Sequence, residues 1–235
     1  MKFPFQKIGN AVIHFIFPHI CEGCGSDLRS AESFLCLKCI DMLPYTDFHL
    51  YPANPVEKIF WGRLPVTHAS AQFYFTKTSI IQRLMHQFKY HGNRQLGFYL
   101  GQLMGFSLSG SNRFLYLDAL IPLPLFESRE RRRGFNQAAV LCEGISSVLG
   151  IPVMKNVIKR SSFTETQTKK GRLERWKNME GKFCLQEAIP LVNKHVLLVD
   201  DVITTGATLE SCGSELLRIP GIRVSIATLC YAAGA

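Results

Sequence analysis

The spacing of apolar residues predicts alternating helices and strands over most of the chain. Apolar side chains recur at helical intervals in some segments, and in others they form the short runs or alternations that are typical of buried strands. We predict helices over 78–90, 94–108, 137–149 and 209–218, and strands over 66–75, 117–125, 153–158, 196–199 and 223–230. Strands that alternate with helices are typical of a parallel sheet with helices on both faces. The predicted fold class is therefore α/β.

Four cysteines near the start of the chain form two Cys-x2-Cys pairs separated by eleven residues, namely Cys21, Cys24, Cys36 and Cys39. Two such pairs can supply the four thiolates of a closed tetrahedral zinc site, which is structural because no position stays open for chemistry. Disulfides and an iron–sulfur cluster are the competing interpretations. The sequence thus predicts a small N-terminal Cys₄ zinc module.

The pattern divides the chain into three parts. We expect an amphipathic lead and the zinc module in 1–45, a proline-rich linker in 46–65, and the α/β domain in 66–235. The lead is interpreted as a short amphipathic helix stopped by Pro18, with a signal peptide as the alternative. No apolar run approaches the roughly 20 residues of a membrane span. The expected location is the cytoplasm, with peripheral association at the inner face of the membrane as a variant.

Basic residues exceed acidic ones, and the excess is concentrated in one stretch. Lys and Arg number 27 against 18 Asp and Glu, which gives a formal charge of +9. Between Glu127 and Lys182 there are 13 basic and 6 acidic residues, so most of the excess lies there. This concentration favours a polyanionic partner or a polyphosphate ligand over a merely solvated surface.

The most specific chemistry lies in 196–209, where a buried strand, two acids and a loop of hydroxyl residues follow one another. In an open α/β sheet, ligands bind at the carboxyl ends of the strands. Two carboxylates buried there need a polar partner such as sugar hydroxyls or a cation. The loop that follows, Thr204 to Thr208, offers hydroxyls and backbone N–H groups at a helix N-terminus, which suits a phosphate. The expected ligand is a sugar that carries a terminal phosphate.

Two further basic segments are candidate ligand contacts. Arg131, Arg132 and Arg133 stand beside a glycine turn, where a shared anion would offset their mutual repulsion. The segment 166–183 carries Arg172 and Arg175 and is typical of a mobile lid or of a single-strand binding arm, with its tryptophan either stacking on bases or packing at a hinge. At 88–94, the basic residues of a helix end are expected to cap its carbonyl groups.

The run of two acids, two apolar residues and Thr-Thr-Gly-Ala-Thr resembles the signature of type I phosphoribosyltransferases. The resemblance implies binding of phosphoribosyl pyrophosphate (PRPP) together with Mg²⁺. It gives Asp200 and Asp201 the ribose hydroxyls, and it gives the 5-phosphate to Thr204, Thr205, Gly206, Ala207 and Thr208. The arginines Arg131, Arg132 and Arg133, with Arg172 and Arg175, would receive the pyrophosphate.

Over nearly its whole length the chain resembles the ComF family. The resemblance rests on the Cys₄ front, Phe-Lys-Tyr-x-Gly at 88–92, Arg-Gly-Phe-Asn-Gln-Ala at 133–138, Thr-Gln-Thr at 166–168 and the PRPP loop. It implies a phosphoribosyltransferase-type sheet flanked by helices behind a zinc module, and a role in the uptake of single-stranded DNA during natural transformation, with competence or DNA-processing proteins as partners. Two alternatives stay open: an active phosphoribosyltransferase with an unidentified nucleobase-like acceptor, and a PRPP-sensing regulator.

Overall fold

A four-stranded parallel sheet forms the centre of the protein in the computed structural model, which describes residues 19–28, 33–160 and 183–232. The strands are β1 (Ala69–Tyr74), β2 (Ala119–Pro122), β3 (Ile158–Arg160), β4 (Phe183–Leu185), β5 (His195–Ile203) and β6 (Arg223–Tyr231). The helices are α1 (Leu37–Asp41), α2 (Pro55–Phe60), α3 (Ile80–Tyr90), α4 (Arg94–Ser109), α5 (Glu127–Arg133), α6 (Gln137–Leu149) and α7 (Ala207–Leu216). The order in the sheet is β1-β6-β5-β2, and β3 pairs with β4 in a separate antiparallel ribbon.

Strand β5 occupies an inner position and is covered on both faces. Its residues Val196 to Val199 are fully buried. Leu197 and Val199 belong to the core on the side of α3, α4 and α6, whereas Val196 and Leu198 belong to the core beside α2 and α7. The continuous apolar run is therefore what a parallel strand requires when helices cover both faces.

The predicted elements are confirmed with shifts at their ends, except for the strand 153–158. Helix 137–149 has the predicted bounds because Asn136 caps its start and Gly150, at a φ of 69°, ends it. The predicted strand 153–158 is wrong in position, since β3 begins at Ile158 and Val153 makes only a single bridge to β2.

Strand β5 is longer than the apolar run predicted. It continues through both acids to Ile203, because the pairing with β6 continues through Asp200 with Thr228 and Val202 with Cys230. The two acids thus lie within the sheet rather than after its edge. The partner strand supplies backbone hydrogen bonds that the apolar pattern does not reveal.

The cysteine module shares its core with the α/β domain. Cys21 and Cys39 lie in one buried cluster with Leu84 and Phe88 of α3. The range 46–65, expected as a linker, instead contains α2 and buries aromatic side chains such as Phe60 against β5, β6 and α7. The apolar residues of this range make it part of the folded core, although its prolines are typical of a linker.

None of the helices within the described ranges is both long enough and apolar enough to cross a membrane.

Helices α4 and α6 approach closely because glycines line their contact. A Cβ at Gly101 would overlap the carbonyl oxygen of Leu141, and one at Gly144 would overlap that of Phe98 and lie 2.8 Å from the amide nitrogen of Gln102. These atoms are backbone and cannot turn aside. Gly101 and Gly144 therefore have a packing function, although glycine by itself disfavours a helix.

We expect Gly144→Ala to destabilise the protein by about 1–3 kcal/mol, because the added methyl must separate two helices. Chemical unfolding followed by circular dichroism measures the change. Gln95→Ala, at an exposed position on α4, is the control and should change stability by less than about 0.5 kcal/mol. Equal stability of the two variants would contradict the close packing.

Candidate active site and metal module

Asp200 and Asp201 lie at the carboxyl end of β5 and are both partly buried. The backbone N–H of Asp201 donates a hydrogen bond of 2.8 Å to Oδ1 of Asp200. Neighbouring side chains of a strand point to opposite faces of the sheet. The environments of the two acids agree with this rule: burial and then the charge of Asp200 raise the pKa of the Cys212 thiol in α7, and burial and then the charge of Asp201 raise the pKa of the Cys230 thiol in β6. The two acids thus face opposite sides of the sheet, each towards a different layer of helices.

The pKa of Asp200 is strongly perturbed. Burial, followed by the negative charge of Asp201, raises the pKa of Asp200 to about 8, although the Asp201 amide, Lys89 and Arg160 act in the opposite direction. At neutral pH the unliganded acid is therefore mostly protonated. A ligand that hydrogen-bonds to the carboxylate, or that brings a cation, would favour loss of this proton.

Lys89 is the partner of the second acid. Its Nζ lies 2.8 Å from Oδ2 of Asp201, and the two side chains are only 19% and 15% exposed. From the sequence, Lys89 is expected at the end of a helix as a cap for carbonyl groups. The structure shows that it reaches the sheet instead, so sequence reasoning misses this site residue.

The loop after β5 has the conformation expected of an anion site. Gly206 has a φ of 75° and is the N-cap residue of α7, so the N-cap itself has no side chain that could accept from the helix. A Cβ on this glycine would lie 2.6 Å from Cγ2 of Ile59. Thr204 and Thr205 are exposed, and Arg63 of the α2–β1 connection donates a 2.9 Å hydrogen bond to the carbonyl oxygen of Thr205. The N–H of Ala207 donates to Oγ1 of Thr205 at 3.5 Å, whereas those of Thr208 and Leu209 have no acceptor among the described residues and could bind an anion.

The arginines beside the glycine turn do not act as one group. Arg131 and Arg132 of α5 are exposed, whereas Arg133 turns inward and donates through Nη1 to Oε1 of Gln137 at 2.8 Å. Nε of Arg133 and Nε2 of Gln137 are buried and have no partner among the described residues. Buried donors are normally paired, so these two indicate an acceptor that the described part of the chain does not provide.

Arg160, at the end of β3, is a further site residue that sequence reasoning misses. Its guanidinium lies 3.9 Å from the ring centroid of Phe126 and 5.3 Å from that of Phe183, and its Nε is buried without a partner within the described ranges. Burial and the charge of Arg129 lower its pKa, and the charge of Asp200 raises it. No sequence motif identifies this residue, because its role depends on how the ribbon β3–β4 packs.

The structure does not describe Arg172 and Arg175. Of the predicted lid 166–183, it describes only Phe183. The proposed contacts of the two arginines with pyrophosphate stay predictions.

The four cysteines of the N-terminal pairs come together as predicted. Their sulfur atoms all lie within 4.8 Å of one another, and Sγ of Cys24 lies 3.7 Å from Sγ of Cys36. Zinc–sulfur bonds of about 2.3 Å in a tetrahedron require sulfur atoms about 3.8 Å apart. All four thiols are free, and a Cβ on Gly23 would lie 2.8 Å from Sγ of Cys39. The donor set therefore fits a structural zinc ion and leaves no space for a larger side chain in the first knuckle.

A parallel sheet flanked by helices, with an acid pair and a glycine-containing loop towards its carboxyl edge, gives the protein a phosphoribosyltransferase-type fold, here joined to a Cys₄ cluster. The model of the phosphoribosyl transferase domain family matches residues 136–235. Among solved structures, the purine phosphoribosyltransferase from Pyrococcus horikoshii Ot3 is similar at 22% identity, over 57% of this chain and 75% of that chain, with a TM-score of 0.37.

The particular family is shown by relatives that match most of the chain. Competence protein F of Haemophilus influenzae is 31% identical over 216 residues, which cover 89% of both proteins. DNA utilization protein YhgH of Escherichia coli O157:H7 is 32% identical, over 90% of this chain and 89% of that protein. Competence protein ComFC of Bacillus subtilis is 30% identical over 61% of this chain and 56% of its own length. The chain belongs to the competence protein F family.

We expect the purified protein to hold about one zinc ion per chain, and Cys24→Ser to reduce this to near zero because a closed site needs all four thiolates. Zinc content by mass spectrometry and thermal unfolding measure the effect. Cys184→Ser is the control, since Cys184 is also exposed but lies outside the cluster. Zinc retained in the first variant, or absent from the second, would contradict the assignment.

Proposed function

We propose that the protein binds PRPP at the carboxyl edge of its sheet. The observation that carries the proposal is the adjacency, within one strand–loop–helix unit, of a partly buried acid pair and a helix N-terminus where the N–H groups of Thr208 and Leu209 have no acceptor among the described residues. A ribose 5-phosphate has its diol and its phosphate at the two ends of one ring. It therefore supplies both partners that this unit lacks.

Asp200 and Asp201 are proposed to accept hydrogen bonds from the ribose hydroxyls. Hydroxyl donors stabilise the ionised form of a carboxylate, so ligand binding would release the proton that Asp200 holds when its pKa is about 8. The N–H groups at the start of α7 and the hydroxyls of Thr204, Thr205 and Thr208 would hold the 5-phosphate.

The pyrophosphate is proposed to lie against the connection between β2 and α6, residues 123–136, which includes the short helix α5 and the loops on either side of it. Arg133, Gln137 and Arg160 lie in or beside this connection, and each has a buried N–H without a partner in the described chain. Phosphate oxygens are acceptors of the kind these donors lack. Arg131 and Arg132 are exposed on α5 and add positive charge at the mouth of the site, while Arg172 and Arg175 are proposed as lid contacts.

Mg²⁺ would accompany the ligand rather than occupy a site built by the protein alone. Within the described ranges, the four cysteines are the one group of three or more candidate metal ligands that meet. The acid pair offers two carboxylates, and Mg²⁺ commonly combines such oxygens with phosphate oxygens and waters. When bound, the ion would neutralise charge on the pyrophosphate.

If the bound ligand reacts, the chemistry is transfer of the ribosyl group as pyrophosphate departs. Positive charge then develops on the sugar, and the adjacent carboxylates stabilise it electrostatically. The acceptor is not specified by any described residue, so we propose ligand binding as the primary property of the site and transfer as its alternative use.

We expect Asp200→Asn with Asp201→Asn to weaken PRPP binding by about 10- to 100-fold, because hydrogen bonds to charged groups contribute about 1.5–3 kcal/mol. Isothermal titration calorimetry with Mg²⁺ measures it. Asp118→Asn is the matched control: Asp118 lies just before β2 at the opposite end of the sheet, and it pairs with Lys194. An unchanged dissociation constant in the double variant would remove the proposal.

We also propose that the protein supports the uptake or use of single-stranded DNA. The names of its relatives, competence protein F and DNA utilization protein, carry this second function. The exposed arginines of α5 and the charge of +9 are compatible with a polyanion, and DNA-processing proteins are the expected partners. The sheet site and the DNA surface can be present together.

Single-stranded DNA binding should weaken steeply with salt. Arg131→Ala with Arg132→Ala should reduce the salt slope by about 0.7 for each phosphate that the variant no longer neutralises. Fluorescence anisotropy over a salt series gives this slope. Arg218→Ala is the control, because Arg218 is exposed on another surface and pairs with Glu215. Absence of binding at low salt would refute the DNA function.

A further inference from the structure

Helix α3 connects the cysteine module to the acid pair. Near its start, Arg83 donates through Nη1 to the carbonyl oxygen of Gly23, between the first two cysteines. Just after its end, Nδ2 of Asn93 donates to Oε1 of Glu22 at 2.7 Å. Between these two contacts, Leu84 and Phe88 are fully buried. The first knuckle of the module therefore holds α3 at both ends.

Lys89 lies on the same helix, six residues after Arg83. At a rise of about 1.5 Å per residue the two positions are about 9 Å apart along the axis. Because a packed helix moves as one body, a displacement at the knuckle is carried to Lys89. From there the path continues through the ion pair to Asp201, at 2.8 Å.

The positive charge of Lys89 compensates the negative charge of the acid pair. The groups that act on the acid pair are Lys89 from α3 and Arg160 from β3, with the thiols of Cys212 from α7 and Cys230 from β6. Lys89 is thus the basic group that contacts Asp201, while burial and the neighbouring acid already raise the pKa of Asp200. Without this lysine, the two neighbouring carboxyls of β5 would be partly buried with less compensating positive charge.

We propose that Lys89 is a positioning residue for the ribose-binding acids, and that the metal module fixes it in place through α3. The proposal rests on the proposed PRPP site and assigns a second role to the cysteine module: zinc occupancy and ligand affinity are linked. Lys89 itself acts through Asp201 and does not require contact with the ligand.

Lys89→Met should weaken PRPP binding about tenfold at pH 7 and move the midpoint of its pH dependence upward by about one unit. The reason is that an opposite charge within about 4–6 Å favours the ionised acid by about one pK unit or more. Calorimetry at a series of pH values between about 6 and 9 measures both the affinity for PRPP and the midpoint of its pH dependence. Lys89→Arg should restore the profile, and Lys194→Met, which removes the lysine of the Lys194–Asp118 pair, should leave it unchanged.

The link to the module is tested by Glu22→Ala with Arg83→Met, which removes both contacts of α3 and keeps all four thiols. Zinc content should stay at about one ion per chain while the pH midpoint rises as in Lys89→Met. Adding Lys89→Met to this pair should give no further shift, because both changes act through the same ion pair. If the pair releases zinc, Glu22→Ala alone serves for the same comparison.

The possible results distinguish a failure of the positioning role of Lys89 from a failure of PRPP binding. If the wild-type protein does not bind PRPP, the proposed function fails. If it binds and Lys89→Met has the wild-type affinity and pH profile, only the positioning role is overturned. If the module variants and Lys89→Met shift the midpoint additively, Lys89 positions the acids but the module does not position Lys89.

Discussion

The burial of two adjacent carboxyls at the end of an inner parallel strand is the constraint on which the rest of the site depends. Neighbouring acids in a sheet repel each other and lose hydration, and this keeps a proton on Asp200 at neutral pH. The surrounding elements each reduce that cost. Helix α3 brings Lys89 to Asp201, and the end of β3 brings the charge of Arg160 near Asp200. The carboxyl oxygens can still accept further hydrogen bonds from a ligand.

The same constraint gives the cysteine module a place in the site. A stretch as short as 19–45 cannot bury a separate core, and its apolar residues are instead continuous with those of α3 and α4. Bound zinc would fix the knuckle, and the knuckle in turn holds the helix that carries Lys89. A metal far from the chemistry can thus contribute to ligand binding by fixing the position of one charge.

The donors near the β2–α6 connection are the groups proposed to bind the pyrophosphate. Arg133, Gln137 and Arg160 keep buried N–H groups without acceptors in the described chain, which is costly in a protein interior and is tolerated where a ligand offsets the cost. Of the three, Arg160 lies near enough to the acids for its charge to oppose the rise that burial causes in the pKa of Asp200. This arrangement favours a ligand with phosphate at both ends of a sugar.

Local chemistry is readable from the sequence by itself. The sulfur cluster, the acid pair, the loop 204–208 and the helix 137–149 are encoded in short stretches of the chain, and the structure has all of them. The sequence does not reveal that β5 continues through the acids, that 46–65 is folded, or that Lys89 and Arg160 meet the acid pair. Those facts depend on strand pairing and on contacts between residues far apart along the chain. Pairing with β6 decided the length of β5, packing against the sheet and α7 decided the fold of 46–65, and the packing of α3 and of the β3–β4 ribbon decided the positions of Lys89 and Arg160. Sequence spacing fixes neighbours along an element but not across the core.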